Sequence, residues 1–126
     1  MEMAASTRRP TVIVDDDPSF REALEGLIQS FGHPTLSFPG GAEALASGQL
    51  RDAACLILDV QMPGMTGLEL QARLKADGDA RPIIFMTAQG DPRVRARALA
   101  AGALEVLAKP FDRDVLLGLI EAAAAL

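Results

Sequence analysis

The chain has 126 residues, of which 49% are apolar and 23% are charged, and it carries a net charge of −5. This size and composition indicate one folded domain, while the negative charge argues against binding a nucleic-acid backbone by bulk electrostatics. No apolar run approaches the roughly 20 residues that span a membrane. Residues 1–10 lack the apolar core of an export signal, so we expect a loose N-terminus there and a single domain over residues 11–126.

Cys55 is the only cysteine in the sequence, and it lies within an apolar run. A disulfide within the chain is therefore excluded, and a reducing, cytoplasmic setting is expected. Because free cysteine behaves as a small apolar residue, we expect Cys55 to belong to the core rather than to a reactive site.

Short apolar runs alternate with longer amphipathic segments. The first apolar run, Thr11–Asp15, is rich in β-branched residues, as is typical of a buried strand. A helix is predicted over Pro18–Phe31, with Asp17 as its N-cap and Gly32 as its stop. The expected apolar face of this helix comprises Phe20, Leu24, Leu27, Ile28 and Phe31.

The rest of the chain repeats this alternation. Further strands are predicted at 34–38, 54–59, 81–87 and 104–108, and further helices at 41–47, 66–76, 92–101 and beyond residue 112. Thr66 and Glu69 match a capping box, and Asp91 and Asp112 match N-caps. The last helix is expected to bury Val115, Leu116, Leu119, Ile120 and Ala123.

Near-continuous apolar strands separated by helices predict an α/β fold with a parallel sheet covered on both faces. In open parallel sheets, sites form beyond the carboxyl ends of the strands. The polar residues predicted at those ends are Asp15, Asp16, Asp17, Asp59, Thr87 and Lys109. Helix capping explains Asp17 better than metal binding does.

Clustered carboxylates repel one another, and the pKa of each is raised unless a cation compensates the charge. Lys109 alone cannot neutralise several acids, so a hard divalent cation is predicted, with Mg²⁺ favoured and Mn²⁺ as an alternative. A carboxylate at such a site can act as a nucleophile and form an acyl phosphate, with Thr87 and Lys109 stabilising the phosphoryl oxygens. The sequence lacks a Gly-Lys-Ser/Thr phosphate loop, which argues against a nucleotide site.

Four segments carry a family resemblance: VIVDDDPSFREAL, LILDVQMPGMTGLEL, TAQGD and AGALEVLAKPF. Together they resemble the receiver domain of bacterial two-component response regulators. Within that family, the sequence of these segments is most similar to regulators of the nitrogen-fixation and nitrate-response type. The resemblance extends from Thr11 to about Ala125. It implies a doubly wound, flavodoxin-like (βα)5 fold, with a five-stranded parallel sheet of order 2-1-3-4-5.

The resemblance implies that Asp59 accepts a phosphoryl group from a sensor histidine kinase or a phosphotransfer protein. It also implies a Mg²⁺ site formed by Asp16, Asp59 and the main-chain carbonyl of Gln61, with Asp15 binding through water. The chain would then be a signalling phosphoacceptor that catalyses its own phosphorylation and dephosphorylation, rather than a turnover enzyme.

The resemblance further assigns residues to phosphoryl binding and switching (Thr87, Ala88 and Lys109) and to the lifetime of the phosphoryl group (Gln61 and Gln89). The Lys109–Pro110 bond is typically cis in this family. The family usually places an aromatic residue at the position of Val106, on the fifth strand. Valine is stiff at χ1 and short, which argues against a coupled rotamer switch between Thr87 and the fifth strand. Two outcomes remain open from the sequence: a weak response of the output surface, or a shift of the fourth helix alone. The implied output surface, and the expected homodimer face, comprises the fourth helix, fifth strand and fifth helix.

Two other functions remain open from the sequence. A phosphatase with an aspartyl nucleophile generally has a second acid two residues after the nucleophile, whereas Gln61 occupies that position here. An interaction module that folds as a receiver without being phosphorylated is supported only by Val106. The basic residues Arg93, Arg95 and Arg97 are best explained as a solvated helix face, with a partner contact as the second interpretation.

Overall fold

The computed structural model describes residues 9–126, so most of the predicted loose N-terminus lies outside the described residues. The strands are β1 (Thr11–Val14), β2 (Thr35–Phe38), β3 (Cys55–Asp59), β4 (Ile83–Thr87) and β5 (Glu105–Ala108). The helices are α1 (Pro18–Ser30), α2 (Gly41–Ser47), α3 (Gly67–Ala76), α4 (Pro92–Ala100) and α5 (Arg113–Ala124). A short 3₁₀ turn at Leu50–Asp52, which the sequence pattern did not indicate, precedes β3.

The five strands form one parallel sheet of order β2-β1-β3-β4-β5, which confirms the predicted fold and strand order. Val14 pairs with Leu58 between β1 and β3, and Asp59 pairs with Met86 between β3 and β4. The carboxyl ends of β1, β3 and β4 therefore meet at one edge of the sheet, where the sequence placed the polar residues.

Alternate strand residues pack into two apolar clusters on opposite faces of the sheet, because side chains along a strand alternate in direction. One cluster joins Val12, Leu56, Leu58 and Phe85 to residues of α2, α3 and α4, including Ala44, Leu70, Leu74 and Ala98. The other joins Ile13, Cys55, Ile57, Ile84 and Met86 to α1 and α5 through Leu24, Ile28, Leu116 and Ile120. Cys55 is fully buried, as predicted.

Four predicted caps begin the helices and orient them over the sheet. The Asp17 carboxylate accepts hydrogen bonds from the first-turn backbone of α1, and Asp91 and Asp112 do the same for α4 and α5. Thr66 and Glu69 form the complete capping box of α3, with N···O distances of 2.8 and 3.1 Å. These bonds satisfy N–H groups that the first helical turn leaves without partners.

Two residues expected on buried helix faces are exposed. Phe31 is 49% exposed because α1 ends at Ser30 and Phe31 is its C-cap. Val115 is 48% exposed because the buried stripe of α5 is centred on Leu116, Ile120 and Ala123, which places Val115 on the far side. Across residues 9–126, none of the helices has the length and apolar character needed to cross a bilayer.

Candidate acidic metal site

Three parallel strands and the segment after β5 bring the predicted site residues together. Asp59 is the last residue of β3. Asp15 follows Val14, which pairs with Leu58, so Asp15 lies beside Asp59 at the edge of the sheet. The Lys109 main-chain N–H donates to the Thr87 carbonyl at 2.8 Å, which positions the lysine just beyond the end of β4.

The carboxylates of Asp15, Asp16 and Asp59 each offer an oxygen within 4.8 Å of the others. Asp15 is 2% exposed and Asp59 is 8% exposed, whereas Asp16 is open to solvent. Such a group of oxygen donors, partly buried and partly open, fits a hard cation that retains water ligands, as Mg²⁺ does. Strand β1 ends at Val14. Asp15 and Asp16 therefore lie outside the strand, where side chains no longer alternate in direction, and both can contribute to the cluster.

The pKa of Asp59 is raised to about 6, first by burial and then by the negative charge of Asp15. The Lys109 ammonium and the Gln61 main-chain N–H act in the opposite direction but do not cancel this effect. The cluster therefore lacks positive charge, which a bound divalent cation would supply. The Gln61 side chain is exposed, and the predicted role of its carbonyl as a ligand stays a prediction.

Lys109 is held mainly by Asp15. Its Nζ lies 2.8 Å from Asp15 Oδ2 and 3.8 Å from Asp59 Oδ1, and its side chain is 20% exposed. The second Asp15 oxygen, Oδ1, accepts the Asp17 N–H at 2.9 Å, and the Arg21 guanidinium donates to the Asp15 carbonyl at 2.7 Å. The sequence did not reveal the Lys109–Asp15 pair or the contact from Arg21, because both depend on how α1 and β5 dock. The peptide bond between Lys109 and Pro110 is cis.

The Thr87 hydroxyl lies at the same edge but bonds to its own loop. Its Oγ1 donates to the Gln89 carbonyl at 2.8 Å and accepts the Gln89 N–H at 3.1 Å. Thr87 is 5% exposed, while Ala88 and Gln89 are exposed. A rotation of the Thr87 side chain would therefore have to exchange these local bonds for any contact to a phosphoryl group.

Gly67, the first residue of α3, fits closely against the end of β3. Its N–H donates to the Val60 carbonyl at 2.9 Å. A Cβ added at Gly67 would overlap the Asp59 carbonyl oxygen and would lie 3.1 Å from the Phe85 ring. Glycine is required at this position because the backbone of β3 and the Phe85 ring leave no room for a side chain. The sequence signal for this close approach is the presence of glycine at the first helical position, directly after the Thr66 N-cap.

The α4–β5 face, defined here by α4 and β5, contains a cavity of about 290 Å³ next to Thr87. Its apolar lining is Pro92, Val94, Val106 and Ala108. Arg95 on α4 pairs with the Glu105 carboxylate and donates to the Val106 carbonyl at 3.0 Å. The pKa of Glu105 is lowered, first by the Val106 N–H and then by Arg95. Arg95 thus contacts β5, whereas Arg93 and Arg97 lie on the exposed surface.

Comparison with known proteins identifies the family. Residues 11–121 match the response regulator receiver domain. The response regulator protein TodT of Pseudomonas putida is 41% identical over 90% of this chain, and the transcriptional regulatory protein FixJ of Azorhizobium caulinodans is 36% identical over 90%. These matches cover 50% and 54% of the two relatives, so the chain spans about half the length of the curated relatives it matches.

Solved structures agree with this assignment. The response regulator StyR is 44% identical, with a TM-score of 0.83 over 93% of this chain and 60% of StyR. A putative response regulator from Chloroflexus aurantiacus is 32% identical, with a TM-score of 0.84 over 94% of this chain and 99% of that structure. These comparisons favour neither of the two alternative functions. The chain belongs to the receiver-domain family of response regulators.

Proposed function

We propose that Asp59 is the phosphoacceptor of this receiver domain and that the acidic cluster is its Mg²⁺ site. The observation that carries the proposal is the convergence of Asp15, Asp16 and Asp59 within 4.8 Å, with the Lys109 ammonium against two of them. A buried carboxylate flanked by a cation site and an ammonium has what phosphoryl transfer requires, which is positioning and charge stabilisation.

In the proposed reaction, an Asp59 carboxylate oxygen forms a bond to phosphorus as the P–N bond of a kinase phosphohistidine breaks. The imidazole leaves with the electron pair of that bond and takes up a proton, and Asp59 becomes an acyl phosphate. A Mg²⁺ ion held by Asp16, Asp59 and the Gln61 carbonyl, with Asp15 through water, would neutralise charge on the phosphoryl oxygens.

Lys109 and Thr87 act on the product in this proposal. The Lys109 ammonium, 3.8 Å from Asp59 Oδ1, is near enough to pair with a phosphoryl oxygen after a small movement away from Asp15. Thr87, together with the Ala88 segment, would exchange its bonds to Gln89 for the phosphoryl group. The exposed side chains of Gln61 and Gln89 flank this space and would influence how fast water reaches the acyl phosphate.

The same proposal covers the biological setting. The chain would act in the cytoplasm as a signalling phosphoacceptor, catalysing its own phosphorylation and dephosphorylation, and would receive the phosphoryl group from a sensor histidine kinase or a phosphotransfer protein. The surface formed by α4, β5 and α5 would report phosphorylation, including through a homodimer. Nucleic-acid binding is not assigned to these residues, in agreement with the net charge of −5.

Intact-mass spectrometry tests the proposal. After incubation with phosphoramidate or acetyl phosphate and Mg²⁺, we expect one added phosphate on the wild type and none on Asp59→Asn. Asp52→Asn, an exposed acid seven residues earlier in the chain, is the matched control and should be phosphorylated normally. A wild-type mass that stays unchanged, also with a cognate kinase, would refute the function.

A further inference from the structure

The Lys109 ammonium has an aromatic neighbour in addition to its two carboxylates. Its Nζ lies 4.1 Å from the centroid of the Phe20 ring, within the roughly 6 Å over which an ammonium is attracted to a ring face. The same Nζ lies 2.8 Å from Asp15 and 3.8 Å from Asp59. Phe20 therefore belongs to the immediate surroundings of the one ammonium at the acidic edge in the described part of the chain.

The Phe20 ring is itself held in place. Phe20 lies in the first turn of α1, where its N–H donates to the Asp17 carboxylate at 3.2 Å. Its ring meets the Phe111 ring edge to face, with centroids 6.2 Å apart and planes at 87°. Because Phe111 follows Lys109 by two residues, the segment that carries the lysine also carries the ring that supports Phe20.

We propose that Phe20 is a positioning residue for Lys109, and that its ring face keeps the ammonium within reach of a phosphoryl group on Asp59. This inference rests on the proposed function, since it concerns the reaction at Asp59. A lysine side chain is flexible and its ammonium strongly hydrated, and here its shorter ionic contact is to Asp15 rather than Asp59. Contact with the ring limits the ammonium to fewer conformations, so less order must be gained when the phosphoryl group arrives.

A purely structural role for Phe20 predicts different behaviour. The half-buried ring also packs against the apolar cluster between α1, α5 and the sheet. Leucine would retain most of that apolar contact but has no ring face, whereas tyrosine retains the face and the edge-to-face geometry. The pair Phe20→Leu and Phe20→Tyr therefore separates packing from the attraction between ring and ammonium.

The first experiment measures the rate of phosphate addition to Asp59 in the full chain, with phosphoramidate and Mg²⁺ followed by intact mass. We expect Phe20→Leu to react roughly three- to tenfold more slowly, in line with the strength of such contacts, and Phe20→Tyr to restore most of the rate. Phe31→Leu is the matched control, because Phe31 lies at the end of the same helix and is 49% exposed. In a Lys109→Met background, Phe20→Leu should cause no further loss.

The second experiment observes Lys109 directly by NMR in the unphosphorylated protein. Ring currents should shift the Lys109 ε-methylene protons upfield in the wild type and in Phe20→Tyr, and this shift should disappear in Phe20→Leu. A folded Phe20→Leu protein with the wild-type rate would overturn the inference, as would equal losses in the leucine and tyrosine variants. If Phe20→Leu does not fold, a wild-type spectrum without the upfield shift overturns it. Lack of phosphate on the wild type instead refutes the proposed function, so the two failures are distinguishable.

Discussion

The acidic edge of the sheet and the α4–β5 face differ in how tightly their side chains are held. At the acidic edge, Asp15 and Asp59 are at most 8% exposed, and the Lys109 ammonium lies against both. The α4–β5 face contains a cavity of about 290 Å³ that Val106 lines in part, and the ionic link between α4 and β5 uses Arg95, whose side chain is 49% exposed. The part of the molecule proposed to receive the phosphoryl group is therefore held more tightly, while the part proposed to report it has more room to rearrange.

Of the changes considered, Lys109→Met at the acidic edge should have the largest effect on phosphorylation. On the proposed role of Lys109, loss of the ammonium removes charge stabilisation of the phosphoryl group, so we expect the phosphorylation rate to fall on the order of a hundredfold. Intact-mass time courses measure this rate. Lys75→Met, which removes an exposed lysine from α3 and gives the same net charge, should react like the wild type. Equal rates in the two variants would contradict the assignment of Lys109.

Metal-free stability should depend on pH through Asp59. Its pKa of about 6 in the folded state exceeds the roughly 3.9 of an unfolded aspartate, so the folded state binds more protons between these values. The contribution of protonated Asp59 to the unfolding free energy is complete below the unfolded-state pKa of roughly 3.9 and is lost as the pH rises through the folded-state pKa of about 6. Between roughly pH 4 and pH 7, we expect the unfolding free energy of the wild type to fall by about 1–3 kcal/mol relative to Asp59→Asn.

Urea denaturation in EDTA over this pH range measures the difference between the two proteins. Saturating Mg²⁺ at neutral pH should restore stability to the wild type, because a ligand that binds only the folded state stabilises it. The same addition should affect Asp59→Asn less. Parallel pH profiles for the two proteins would show that Asp59 is not the uncompensated acid of the cluster.

Gly67→Ala, at the acidic edge, should lower the unfolding free energy by about 1–3 kcal/mol, because the new methyl group must displace the Asp59 carbonyl or the Phe85 ring. The shift of Asp59 should also slow phosphorylation. Gly26→Ala in α1 is the matched control, since nothing lies within 4 Å of its added Cβ and alanine favours a helix interior. The midpoint of thermal unfolding should therefore fall for Gly67→Ala and rise for Gly26→Ala. An unchanged midpoint for Gly67→Ala would contradict the close approach of Gly67 to β3.

Arg95→Gln, which changes the α4–β5 face, should have the smallest effect. Breaking an ion pair whose side chains are 49% and 30% exposed usually costs less than about 1 kcal/mol, so the unfolding free energy should change little and the rate of phosphate addition should not change. Arg93→Gln removes a neighbouring charge that does not reach β5 and is the control. NMR shifts of β5 amides should change in the Arg95 variant only, and a large loss of stability would mean that this face is as rigid as the acidic edge.

The sequence predicted most of the fold because its local signals agree with one another. Apolar runs, the Thr66–Glu69 capping box and the caps Asp17, Asp91 and Asp112 all lie where the structure places them. Phe31 and Val115 were misassigned because helical periodicity does not reveal where a helix ends or which turns face the sheet. Such details depend on how the elements dock.

The candidate site shows the same limit. The tendency of sites to form at the carboxyl ends of parallel strands is enough to predict that Asp15, Asp16, Asp59, Thr87 and Lys109 share one edge. The pairing of Lys109 with Asp15 and with the Phe20 ring could not be predicted, because these contacts join residues distant in the chain through side-chain rotamers. The fit of Gly67 against Asp59 likewise depends on the docking of α3.

Cys55 gives β3 an intrinsic reporter. It begins the strand that ends in Asp59, it is fully buried, and burial raises the pKa of its thiol to about 11. At neutral pH the thiol is therefore both shielded and protonated, so a thiol reagent can react only after the sheet opens. The rate at which a disulfide reagent labels Cys55 would thus measure the opening of β3, in a chain that has no other cysteine.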